Sequence, residues 1–80
     1  MIYVINIEDG GGQEFFLTQE STLVNLSSNS QEEPQEYKSL KLALKKRNQL
    51  RPQYADNCRI YALERTEFSA RRDRLKNLAT

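Results

Sequence analysis

The basic residues carry the strongest chemical signal in the chain. Lys38, Lys41, Lys45 and Lys46 fall within one helix-forming stretch, and Arg71, Arg72, Arg74 and Lys76 make a second basic group further along. Cations grouped in this way suit two tasks. They can track phosphates, with Tyr54 or Tyr61 available to stack bases, or they can steer an encounter with an acidic protein surface. Leu42 stands in the middle of the lysines. An apolar side chain ringed by cations fits a pocket with an acidic rim, the lysines speeding encounter and Leu42 forming the desolvated centre. The expected partner-binding set is therefore Lys38, Lys41, Leu42, Lys45, Lys46, Arg71, Arg72 and Arg74. Two plainer readings stand beside it: the lysines as a solvated helix face, and Leu42 as a singly exposed leucine or one covered by Leu75 and Leu78 of a folded-back C-terminal helix.

Other chemistry is poorly supplied. Asp9-Gly10-Gly11-Gly12 lacks the Lys-Ser/Thr of a phosphate-binding loop and leads into a strand, so it reads as a hairpin turn. The carboxylate pairs Glu8/Asp9 and Glu32/Glu33 lie in polar turn-like sequence, where nothing would raise a pKa for acid–base work. Cys58 has Arg59 beside it but no histidine base anywhere in the chain, and reads as a small buried or half-buried hydrophobe. Zero His and one Cys exclude Ser-His-Asp and Cys-His nucleophiles, Cys/His zinc sites and an internal disulfide. No catalytic, cofactor-binding or metal-ligating residue is expected, and the protein reads as non-enzymatic.

Those side chains must be positioned by few elements. Eighty residues make one small domain, spanning 1–80, with room for a modest core. Ile2–Ile7 is rich in β-branched residues, the glycines supply a turn, and Glu14–Thr18 forms the return strand, with Phe15 and Leu17 on one face and Phe16 on the other. Thr22–Leu26 has the composition of a third strand. The polar segment 27–36 reads as an exposed, mobile loop. Ser39 caps a helix that runs to Leu50, where Pro52 stops it, with Leu40, Ala43, Leu44 and Leu50 on its apolar side. Arg59–Glu64 returns to strand, and Ser69 caps a terminal helix reaching Leu78. The fold class is α+β, in the order β-β-β-α-β-α: a small antiparallel sheet covered by one main amphipathic helix. The expected core is Ile5, Phe15, Leu17, Val24, Leu40, Leu44 and Ile60.

Charge divides the chain at Tyr37. Residues 1–37 carry seven acids and no Lys or Arg; residues 38–80 carry all 12 Lys and Arg against Asp56, Glu64, Glu67 and Asp73. A near-neutral total of +1 thus hides an acidic β-rich half and a basic helix/strand/helix half. The asymmetry is either neutralised where the halves pack or turned toward an outside partner. The acids are too sparse along their strands to imitate a phosphate row.

A Gly-rich hairpin opening at Ile2, a polar loop, a Lys-rich helix after Tyr37 and a last strand around Ile60 together resemble small phage-encoded accessory proteins. The resemblance lies in element order and economy of size, and carries no site residues over. It implies a protein that binds a bacterial host complex, for example a defence nuclease or the transcription machinery, and inhibits or redirects it. The expected function is thus a binding module that occludes or modulates a larger host protein or nucleoprotein complex, an anti-defence role in a host–virus interaction. The alternative is a nucleic-acid-binding accessory protein using the basic half. Met1–Ile7 lacks the basic flank and apolar length of a signal peptide, no apolar run spans a bilayer, and the lone thiol suits a reducing compartment; a cytoplasmic setting without membrane partners is expected, the host cytoplasm if phage-encoded.

Overall fold

The run of β-branched residues near the start forms β1 (Tyr3–Glu8), and the chain reverses into β2 (Glu14–Leu17) and again into β3 (Leu23–Asn25). The computed structural model describes residues 1–28, 30–54 and 56–79, with residue 79 described by its backbone alone. At the first turn Asp9 Oδ1 accepts hydrogen bonds from the backbone N–H groups of Gly11 (2.8 Å) and Gln13 (2.9 Å), and Gly12 takes φ +86°. That left-handed conformation is the reason for a glycine at position 12. α1 (Leu40–Leu50) follows the long connection, then β4 (Arg59–Glu64) and α2 (Arg65–Ala79). β4 pairs antiparallel with β1 over six residues, giving the sheet order β3-β2-β1-β4. The α+β class and the order β-β-β-α-β-α are those expected from the sequence.

Because side chains alternate across a strand, β1 must bury two different sets. Ile5 and Ile7 join Leu17, Ala43 and Leu50 under α1; Val4 joins Phe16, Leu26, Leu63 and Phe68 under α2. The helices therefore lie on opposite faces of the sheet, where a single covering helix was expected. The residue that secures the second layer is Phe68, fully buried and edge-on to Phe16 with ring centroids 5.4 Å apart. Burying each ring contributes about 1.5–3 kcal/mol, and the edge-to-face contact about 0.5–1.5 kcal/mol more. α2 also starts earlier than Ser69, directly from β4, and Ser69 Oγ accepts from the Arg65 guanidinium instead of capping the helix.

The expected core needs a correction in α1. Ser39 does cap the helix, accepting from the Leu42 N–H at 3.2 Å, but the line facing the sheet runs through Ala43 and Leu50, two turns apart. Ala43 is small enough to bring the helix axis close to the strands, which rolls Leu40 to 44% exposure and leaves Leu44 half-buried outside both core clusters. Val24 belongs to the α2 side. Residues 30–37 of the connection are held against the sheet and α2, where an exposed, mobile loop was expected over 27–36. The Gln35 N–H donates to the Leu17 carbonyl at 2.9 Å, Tyr3 and Tyr37 exchange two backbone hydrogen bonds of 2.8 Å, and Pro34 is buried.

Candidate functional site

The geometry of α1 decides which of the basic residues face outward. With Ala43 and Leu50 inward, the opposite side of the helix presents Lys41 and Lys45, with Lys38 just before its cap; all three are exposed and Lys46 is half-buried. None of the four makes an ion pair among the described residues. Leu42 is 51% exposed on one flank of the lysines, and Leu40 and Leu44 lie on the other. Leu40, Lys41, Leu44, Lys45 and Asn48 line an open, mostly apolar groove of about 560 Å³. Since α2 packs on the far face of the sheet, Leu75 cannot cover Leu42; it packs on the Val4–Phe16 cluster instead. Leu78 is itself exposed.

The arginines of α2 do different work. Arg71 Nη1 lies 3.1 Å from Glu14 Oε1, donates to the Tyr61 hydroxyl, and its guanidinium sits over the Tyr61 ring, 5.8 Å from the centroid. Asn6, wholly buried in β1, donates through Nδ2 to Glu14 (2.9 Å) and to Tyr61 (2.8 Å), and Tyr61 O–H donates to Glu14 at 3.1 Å. Burial pushes the Tyr61 hydroxyl above its ordinary value; Glu14 adds to the rise, while Asn6 and Arg71 oppose it. Arg72 is only 8% exposed, donates through Nη2 to the Ser30 carbonyl at 2.8 Å, and lies 4.7 Å over the Phe16 ring. Arg65, unmarked by the sequence reading, reaches Glu33 (2.7 Å) and Glu36 (3.1 Å).

Every ion pair among the described residues thus joins a cation of the basic half to an acid of the acidic half, through Arg65, Arg71 and Arg72. Part of the charge division is neutralised internally; the lysines of α1, like Arg47, Arg51, Arg59, Arg74 and Lys76, make no ion pair among the described residues. The expected partner-binding set accordingly splits in two. Lys38, Lys41, Leu42, Lys45 and Lys46 share the outer face of α1, whereas Arg71 and Arg72 tie strands and connection together beneath the opposite layer, with Arg74 exposed beyond them. Arg71 and Arg72 leave the set because their guanidinium groups are already engaged. Leu40 and Leu44 enter it. Their absence from the sequence reading follows from assigning them to the core; the Arg47 that falls among the apolar positions of α1 was the available sign that the face was rolled.

The remaining groups take structural places. Asp9 organises the hairpin turn, and Glu33 holds Arg65. Cys58 is half-buried in a cleft with Arg51, Tyr54 and Asp56, its thiol 3.9 Å from Asn57 Oδ1. Burial raises the Tyr54 hydroxyl pKa, and Cys58 adds to the rise. Among the described residues no group of His, Cys, Asp or Glu is arranged to hold a metal ion, and no helix is long and apolar enough to cross a membrane. Comparison with family models, with curated proteins and with solved structures finds no match for this chain.

Proposed function

We propose that this protein is a small non-enzymatic binding module that occludes or modulates a larger bacterial host protein or nucleoprotein complex through the outer face of α1. The observation that carries the reading is the segregation of its cations. Arg65, Arg71 and Arg72 reach acids of their own chain and hold the fold, while the α1 lysines make no ion pair among the described residues and lie beside exposed leucines. A surface of that kind complements an acidic, partly apolar partner, with the lysines staying hydrated at the rim and the leucines desolvated at the centre. The lysines raise the rate of encounter and Leu42 contributes desolvated contact. The likeness in element order and size to phage-encoded accessory proteins supports a host complex, such as a defence nuclease or the transcription machinery, as the target in the host cytoplasm.

Nucleic-acid binding uses the same lysines on phosphates but calls little on the neighbouring leucines, since its affinity is dominated by cations. The readings part in an affinity capture from bacterial lysate with and without nuclease. The protein reading expects the captured partner to survive nuclease and to be lost with Lys41→Glu/Lys45→Glu. Capture that disappears with nuclease supports the nucleic-acid reading.

A further inference from the structure

We infer that the row Leu40–Leu44–Asn48 on α1 is the seat of an acidic amphipathic helix belonging to the partner. The inference rests on the reading of α1 as the binding face and adds what lies on it. Residues four apart form the ridges along which helices pack, so Leu40, Leu44 and Asn48 define one continuous line inclined by about 26° to the helix axis. Leu40 is 44% exposed and Leu44 half-buried, and neither belongs to the clusters that hold the sheet. Lys41 and Lys45 form the next row, one residue round the helix, and complete the groove. Apolar surface next to unpaired cations selects an occupant with apolar residues at helical spacing flanked by Glu or Asp. Leu40 to Asn48 spans eight residues of rise along α1, so the line is about 12 Å long and matches roughly two turns of a partner helix.

Charge also decides against the nearest alternative occupant. A second copy packing through the same face would set Lys41 and Lys45 against their own counterparts with no carboxylate between them, since the first turn of α1 carries no acid. Duplex DNA would meet the lysines but strand the leucines against phosphate and sugar.

The probe is a synthetic amphipathic peptide with Leu at helical spacing and Glu at the flanking positions, titrated against the full-length chain by fluorescence anisotropy at physiological salt. Two further peptides serve as arms, one with Lys in place of Glu and one with the leucines scrambled. The Glu peptide is expected to bind, the Lys and scrambled peptides at least tenfold more weakly. Leu40→Ser/Leu44→Ser should weaken the Glu peptide by at least tenfold while the melting curve stays cooperative; should that double variant unfold, Leu40→Ser alone is read against the same threshold. No binding of the Glu peptide, equal binding of the Lys peptide, unchanged binding by the folded leucine variant, or displacement of the peptide by duplex DNA each overturns the inference. The two levels separate cleanly. If the peptide fails while lysate capture still depends on Lys41 and Lys45, the face is right and its occupant wrong; if capture ignores those lysines, the face itself is wrong.

Discussion

Arg72→Ala tests whether α2 holds the fold or offers its cations to a partner. In the native protein the Arg72 guanidinium makes a charge-assisted hydrogen bond of 2.8 Å to the Ser30 carbonyl, worth about 1.5–3 kcal/mol. It also stacks on Phe16 at 4.7 Å, worth about 0.5–2 kcal/mol. Its approach to Glu33 at 3.9 Å adds little, because that carboxylate is mostly in water. Against these gains stands the buried Nε, which has no hydrogen-bond partner among the described residues, a penalty of about 1–3 kcal/mol that the substitution relieves. The net cost of Arg72→Ala is therefore about 1–2 kcal/mol, and for a domain of this size each kcal/mol lowers the melting temperature by roughly 4–8 °C. Arg72→Met keeps much of the aliphatic stem over Phe16 without the unpaired donor, and should recover about 1 kcal/mol of the loss. Urea denaturation gives the free energies, and hydrogen exchange at Gln31–Gln35 shows whether the connection loosens with them. A midpoint unchanged by Arg72→Ala would refute the reasoning and return Arg72 to the candidate binding surface.

Phe68→Ala should cost about 3–5 kcal/mol, because it empties the α2 layer and removes the Phe16 contact, and a cooperative melt at the native temperature would contradict the two-faced core. Leu42→Ala and Lys41→Ala should each change stability by no more than about 0.5 kcal/mol in the same denaturation assay, a larger loss placing either side chain in the fold. Burial holds the hydroxyls of Tyr37, Tyr54 and Tyr61 above the ordinary tyrosine value of 10.0, so the neutral form is favoured in the folded state. Their contribution is fully present below pH 10.0 and is lost as pH rises through the raised values; a urea midpoint that climbs across that window contradicts the assignment.

The strands were legible because β-branched runs and turn residues spell them locally, and Ser39 and Pro52 marked the span of α1 in the same way. What sequence could not supply was the second layer. Phe16 alternates with Phe15 and Leu17, and a four-residue strand gives no sign of whether its other face is wet; only Phe68, fifty-two residues away, settles that. The roll of α1 was hidden for a related reason, since Ala43 ranks below leucine in any hydrophobic count yet has the shape that lets the helix approach the sheet. The basic residues looked equivalent as a string of charges. Their difference is set by long-range pairing: Arg71 finds Glu14 and Arg72 finds Ser30 across the two halves, while the α1 lysines find no acid among the described residues. The pinned connection at 30–36 follows from the same contacts.

On the proposed reading partners meet the outer face of α1 while α2 serves the fold, and lysine footprinting of the captured complex separates these roles. Four of the five lysines, Lys38, Lys41, Lys45 and Lys46, lie on or beside α1, and Lys76 lies on α2 as an internal control. Acylation of the free protein and of the complex, read residue by residue by mass spectrometry, should show Lys41 and Lys45 protected by the partner and Lys76 modified as before. Protection of Lys76 with Lys41 and Lys45 still fully reactive would contradict the account.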